Sequence, residues 1–222
     1  MKAMLLAAGR GERMRPITDS LPKPLVRVGG KPLIAWHLAA LARAGIREVV
    51  INLSWLGDRV PAALGDGRDH GVSITYSDEG PVPLETGGGI FKAVPLLGPG
   101  PFLVVNADIW TDVDFANLEL EDAAHAHLVL IPNPPHHPRG DFGLEGGRVV
   151  SRESDRFTYS GVGVYRPEFF GGCTAQRFPL LPLLERAIAA GLVRGHVHRG
   201  EWCDVGTAER LASLDARVRA VQ

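Results

Sequence analysis

The chain has 222 residues, with 24 Lys and Arg against 25 Asp and Glu for a net charge of −1. That balance argues against a nucleic-acid binder, which usually carries a basic excess. Hydrophobic content of 45% supports a sizeable core, and the length suits one domain over residues 1–222.

Lys2 to Ala7 reads as a short strand buried on both faces. The apolar run stops at Arg10, too short for a secretory leader. No stretch approaches the ~20 apolar residues of a membrane span. A basic, proline-punctuated loop runs to Lys23, and Leu25 to Val28 follows it. Pro32 stands at a helix start, Leu33, Ile34, Leu38, Leu41 and Ala44 recur at helical spacing, and Gly45 ends the helix. Glu48 to Leu53 is a second buried strand and Trp55 to Leu64 a second helical segment. Val72 to Ser77 alternates as a strand should, and Gly87 to Leu97 reads as a helix opened by three glycines. Phe102 to Val105 is a strand running into Asn106-Ala107-Asp108. Alternating strands and helices predict a mainly parallel α/β sheet covered on both faces.

The second half is less regular. His127 to Ile131 is a strand, followed by a Pro-rich loop to Gly140. Asp141 to Val150 reads as a hairpin turning at Gly146-Gly147, and Thr158 to Tyr165 as a strand interrupted by Gly161 and Gly163. Leu180 to Ala190 is an apolar helix, and Val193 to His198 a strand leading to Trp202-Cys203-Asp204. Ala208 to Ala220 is a helix with Thr207 as its N-cap. Cys173 and Cys203 have no metal-ligand spacing, so a reduced, cytoplasmic protein is expected.

Gly9 and Gly11 let backbone N–H groups approach phosphate oxygens, while Arg10, Arg13, Arg15 and Lys23 add charge. No Gly-Lys-Ser/Thr closes the loop as in a Walker motif, and the third glycine of the dinucleotide fingerprint is missing. Gly87 to Gly89, at a helix start, offers a flat surface for a base or an anion. Asp108 follows a buried strand directly, and its carboxylate would face the crevice where α/β proteins bind ligands, although an Asp there is also a common helix cap. Asp204 is a second carboxylate; two carboxylates plus phosphates are what Mg²⁺ prefers. Of the two adjacent histidines, His136 reads as merely solvent-exposed. Asp141 could accept hydrogen bonds from sugar hydroxyls or an amide. His125, His127, His196 and His198 read as structural.

Leu6-Ala7-Ala8-Gly9-Arg10-Gly11-Glu12-Arg13-Met14-Arg15-Pro16, with Pro22-Lys23-Pro24-Leu25, resembles the signature of the sugar-1-phosphate nucleotidyltransferases. The resemblance implies a Rossmann-like, GT-A-like fold with a mixed, mainly parallel sheet flanked by helices. It implies transfer of a nucleoside monophosphate from a triphosphate to a sugar 1-phosphate, with Mg²⁺. It assigns catalysis to Arg15, Lys23 and Asp108, and the nucleotide to Ala8, Gly9, Gly11, Glu12, Arg13, Lys23, Gly87 and Gly88. The sugar falls to Asn106, Asp141, Glu153 and Gly161, and the metal to Asp108 and Asp204. His-His-Pro-Arg-Gly-Asp-Phe-Gly-Leu is similar to the branch that uridylylates N-acetylmuramate 1-phosphate for cell-wall sugar recycling, where Arg139 or His137 would meet the lactyl carboxylate. Glucose-1-phosphate and mannose-1-phosphate transferases, or a non-catalytic nucleotide-sugar sensor, are the alternatives. Relatives carry Glu-Lys-Pro where this chain has Ser151-Arg152-Glu153-Ser154-Asp155-Arg156, so Arg152 or Arg156 is expected to replace a lysine that grips the sugar phosphate. No C-terminal repeat follows, which implies a bare transferase, monomeric or a small homo-oligomer, with no nucleic-acid or membrane partner.

Overall fold

A computed structural model describes residues 1–221. The first half contains β1 (Lys2–Leu6), α1 (Ile17–Ser20), β2 (Arg27–Val28), β3 (Lys31–Pro32), α2 (Leu33–Arg43), β4 (Glu48–Leu53), α3 (Arg59–Leu64), β5 (Ser73–Asp78), α4 (Glu85–Leu97), β6 (Phe102–Asn106) and β7 (Ile109–Thr111). The second contains β8 (Ala126–Ile131), β9 (Gly143–Glu145), β10 (Arg148–Val150), β11 (Thr158–Tyr165), α5 (Leu181–Ala189), β12 (Val193–Val197), β13 (Trp202–Asp204) and α6 (Ala208–Val221).

The main sheet runs β5-β4-β1-β6-β11-β8-β12-β10-β9. The first four strands are mutually parallel. β11 runs against both β6 and β8, and β12 pairs parallel with β8. The expected mixed, mainly parallel sheet is therefore observed. β1 is apolar from Ala3 on because both its faces are covered: Ala3 and Leu5 enter the core on one face, Met4 the core on the other. Each fully buried Leu of this kind stabilises the fold by roughly 1.5–3 kcal/mol.

Two expectations shift. The segment Trp55 to Leu64 is helical only from Arg59. The glycine-opened helix begins earlier, at Glu85, so Gly87 to Gly89 lie inside its first turns. A small ladder that periodicity did not foresee joins β7 to β13. Among the described residues no helix is long and apolar enough to cross a membrane.

α2 buries Leu33, Ile34, Leu38 and Leu41 on one stripe, and His37 lies on it too. His37 Nε2 meets the Ile109 carbonyl at 2.8 Å. Burial lowers its pKa to about 4, against smaller raising effects from that hydrogen bond and the Asp108 charge. The folded value lies below the unfolded one, so the unfolded chain binds the extra proton. The stabilisation is complete above pH ~6.5, the unfolded value, and is lost as pH falls through about 4. At 1.4 kcal/mol per pKa unit this amounts to about 3 kcal/mol. Urea melts between pH 7 and 4 should show that loss in wild type and a shallower slope in His37→Gln.

Candidate active site

The carboxyl ends of β1 and β6 leave the sheet side by side, with Leu6 opposite Asn106 and the Ala107 N–H donating to the Leu6 carbonyl at 3.1 Å. Two loops therefore open onto one crevice, as expected for a parallel sheet. Ala8, Gly9, Lys23, Asn106 and Asp108 line a cleft of about 190 Å³ there. A Cβ at Gly9 would meet nothing within 4 Å, so its backbone faces open space. Gly11 serves the turn: its φ is +65°, its carbonyl accepts from Thr18 Oγ1 at 2.8 Å, and a Cβ would lie 2.9 Å from Thr18 Cγ2.

At the centre, Lys23 Nζ donates to Asp108 Oδ2 at 2.6 Å. The Lys23 side chain is only 9% exposed while that of Asp108 is 39% exposed. A buried ammonium thus has its carboxylate at the solvent edge, where a polyanion can reach both.

Asp204 arrives through the β7–β13 ladder. It lies opposite Ile109, and the Val205 N–H donates to the Asp108 carbonyl at 2.8 Å. Trp202 Nε1 pins the ladder to the Ser160 carbonyl at 2.9 Å. The two expected metal carboxylates, 96 positions apart in the chain (204 − 108), become neighbours. Asp204 Oδ1 accepts from Arg210 Nη1 at 2.6 Å and faces His136 Nε2 at 3.1 Å. Thr207 Oγ1 caps α6 through the Arg210 N–H at 3.3 Å, which sets Arg210 in its first turn. Arg13 comes to the same end: a Cβ on Gly206 would lie 2.7 Å from Asp204 Oδ2 and 3.2 Å from Arg13 Nη2.

The donor chemistry fits Mg²⁺. Both groups are hard carboxylate oxygens, and each now holds cationic side chains whose charge a divalent ion would replace. Among the described residues no three His, Cys, Asp or Glu side chains are gathered to hold a metal unaided. Substrate oxygens and water would have to complete the shell.

On the side where the sugar is expected, β11 has a register break between Tyr159 and Val162. Gly161 sits in that bulge at φ +82°, and a Cβ would come within 2.6 Å of Asn106 Nδ2. Asp141 Oδ2 accepts from the Tyr159 N–H at 2.8 Å, and Oδ1 faces His137 Nε2 at 2.9 Å. Asp141, Arg139 and Glu153 line a polar hollow of about 550 Å³. Asn106, Gly161 and Asp141 thus follow one another along the end of β11.

Several expectations are corrected. Gly87 and Gly88 do not face the cleft. The Gly88 N–H donates to the Phe178 carbonyl at 3.0 Å, and a Cβ on Gly87 would lie 2.6 Å from the Phe178 ring. Their missing side chains let α4 seat against residues 176–179. Pro83, Glu85 and Thr86 line the cleft instead. Arg15 pairs with Asp19 at 3.2 Å, with its side chain 53% exposed and open to solvent. Glu12 is exposed beside it. Neither Arg152 nor Arg156 is free. Arg152 binds the Asp155 carbonyl and Glu145, and Arg156 binds the Asp141 carbonyl. His136 is exposed as expected, and its Nε2 also lies 3.1 Å from Asp204 Oδ1.

Asn52 and Glu79 were missed. Asn52 Oδ1 accepts the Ala7 N–H at 2.7 Å, and its Nδ2 donates to Glu79 Oε1 at 2.6 Å. Glu79 Oε2 accepts the Leu84 N–H at 2.7 Å, tying the wall that precedes α4 to the loop after β1. The signal was present: both residues stand at the carboxyl end of a parallel strand, the position that marks Asp108.

Residues 2–149 match the family model described as nucleotidyl transferase. The chain is 52% identical to the N-acetylmuramate alpha-1-phosphate uridylyltransferase of Neisseria meningitidis serogroup B, over 97% of each chain. It is 37% identical to the protein of the same description from Caulobacter vibrioides, over 97% of this chain and 96% of that one. Its fold superposes with a TM-score of 0.87 on a putative glucose-1-phosphate thymidylyltransferase from Bacillus anthracis, at 20% identity and covering 100% and 96% of the two chains. A glycine-bearing loop, a buried lysine and two converging aspartates therefore belong to a chain that is a member of the nucleotidyl transferase family.

Proposed function

We propose that the chain transfers a uridylyl group from UTP to N-acetylmuramate α-1-phosphate, releasing pyrophosphate. The observation that carries the reaction class is the Lys23–Asp108 pair at the mouth of β1 and β6, with Asp204 joined to it by the β7–β13 ladder. The substrates follow the two relatives matched over nearly the whole chain. We read residues 1–222 as one transferase domain working in the cytoplasm on recycled cell-wall sugar.

The acceptor phosphate monoester has a second pKa of about 6 and is already an anionic nucleophile near neutral pH. An oxygen of it bonds to the α-phosphorus of UTP as the bond to the pyrophosphate oxygen breaks, so no side chain need take a proton. The obstacle is charge. Lys23 neutralises the α-phosphate from a site that water hardly reaches, where its field is strong. Asp108 and Asp204 would hold Mg²⁺, which when bound supplies charge neutralisation for phosphate oxygens of both substrates. Backbone groups of Ala8, Gly9 and Gly11, with Glu12 and Arg13, hold the triphosphate. Arg15 exchanges Asp19 for the departing pyrophosphate; both side chains of that pair are half-exposed, so it holds them only weakly. Asn106, Asp141, Glu153 and Gly161 orient the sugar.

Pyrophosphate release across a matrix of UTP, dTTP and GTP against N-acetylmuramate, N-acetylglucosamine, glucose and mannose 1-phosphates tests this. UTP with N-acetylmuramate 1-phosphate should give the highest kcat/KM. A higher value for any other pair would overturn the substrate assignment, and no release from any pair would overturn the reaction.

A further inference from the structure

We infer that His136 is the side chain that grips the phosphate of the sugar 1-phosphate, a role that rests on the transfer reaction proposed above. The two arginines of residues 151–156 are engaged by carbonyl oxygens, which leaves a place for a donor from another loop. The adjacent histidines of the loop after β8 reach opposite ways. His137 meets Asp141 at 2.9 Å on the sugar side, and His136 meets Asp204 at 3.1 Å on the metal-carboxylate side. The loop is a strap from one half of the site to the other.

The sugar lies by Asn106, Gly161 and Asp141 in this reading, and the α-phosphate by Lys23 and Asp108. The acceptor phosphate must then fall between Asp141 and Asp204, and the strap passes over that gap. His136 is 41% exposed there, open to a ligand. Its Nε2 lies 3.1 Å from Asp204 Oδ1, an oxygen that Arg210 Nη1 already engages at 2.6 Å. Once Asp204 engages a cation, the imidazole is released from that contact and can donate an N–H to an oxygen of the sugar phosphate. No proton moves in this exchange.

The strap is held stiff. Asn133 Nδ2 donates to the Pro138 carbonyl at 3.1 Å and to the Arg156 carbonyl at 2.9 Å, while its Oδ1 accepts from Thr158 Oγ1 at 2.9 Å. Gly140 turns at φ +60°, where a Cβ would lie 2.5 Å from Asn133 Oδ1. The His137 N–H donates to the Pro134 carbonyl at 2.9 Å, closing a turn around His136 itself. A donor fixed in this way needs no ordering when substrate arrives.

His136→Ala, His136→Gln and His136→Lys should be compared by steady-state kinetics. Calorimetric titration of N-acetylmuramate 1-phosphate into enzyme preloaded with α,β-methylene-UTP and Mg²⁺ adds a readout independent of turnover. For Ala, KM and Kd for the sugar phosphate should rise about 10- to 100-fold, as for a lost hydrogen bond to a charged group. KM for UTP should stay within about twofold, and Lys should recover most of the loss because its ammonium can bind the phosphate as a point charge. Gln, which keeps an N–H donor, should fall between. If the constants for the sugar phosphate do not move, or those for UTP rise equally, His136 has no such role and the transfer reading stands. If wild type releases no pyrophosphate from any substrate pair, the transfer reading fails, and this inference with it.

Discussion

Asp108→Asn should lower kcat by about 10²–10³-fold or more, the scale of losing one preorganised electrostatic contact to a transition state, while leaving the fold intact. The substitution keeps the volume and an oxygen able to accept from Lys23 Nζ, which now lies 2.6 Å from Oδ2. Asp108 lies two residues beyond β6, and its own carbonyl and neighbouring backbone carry the ladder to β13, none of which the change touches. The Asp108 side chain is 39% exposed but that of Lys23 only 9%, so the variant loses some stability by leaving the buried ammonium a neutral acceptor, a loss limited by solvent on the Asp108 side. The larger loss falls on chemistry, because Asn offers a neutral and weaker oxygen to a divalent ion and cannot offset Lys23 before substrate binds. Thermal melting should move by only a few degrees, and the Mg²⁺ concentration giving half-maximal residual activity should rise. Wild-type turnover by the variant in Mg²⁺ buffer would sink the role of Asp108 at the metal.

Much of this site was legible because local pattern and function coincide. Lys2 to Ala7, Glu48 to Leu53 and Phe102 to Val105 are apolar on both faces, which is the mark of parallel strands in a covered sheet. Once those strands are parallel, Gly9 and Asp108 must emerge at one edge. The β7–β13 ladder was not legible, since three-residue strands carry no usable periodicity and its partners stand far apart in the chain. Asp204 could be named through the resemblance but not positioned. Gly87 and Gly88 misled for a definite reason. A glycine at a helix start serves a ligand or a close-packed neighbour equally well, and only the fold brings Phe178 against them. Arg152 and Arg156 misled in the same way, because charge in the sequence does not reveal which carbonyl oxygens will claim it. His136 looked idle because its partner, Asp204, is remote in sequence.

Asn52→Ala should destabilise the protein by about 3–5 kcal/mol and weaken UTP binding, the combined cost of an orphaned buried donor and a weakened buried carboxylate. Asn52 is 3% exposed and Glu79 is 8% exposed. Truncation leaves the Ala7 N–H with no acceptor in a place water scarcely reaches, and takes from Glu79 the Nδ2 donor at 2.6 Å. For a protein of this size each kcal/mol shifts Tm by about 2–4 °C, so Tm should fall by roughly 6–20 °C. The functional effect follows from the same bonds. Ala7 precedes the Ala8–Gly9 backbone that faces the cleft, and Glu79 Oε2 holds the Leu84 N–H on the opposite wall. Asn52 therefore sets the distance between the phosphate loop and the wall before α4. Asn52→Asp separates the two effects. It keeps an acceptor for Ala7 but sets a second carboxylate against Glu79, so it should be at least as unstable as the alanine variant at neutral pH. Adding Glu79→Gln to it should restore stability, since the amide can donate to the new carboxylate. Recovery of the UTP KM along with Tm in that double variant would assign the pair to loop positioning. Recovery of Tm alone would assign Glu79 a direct contact with the nucleotide.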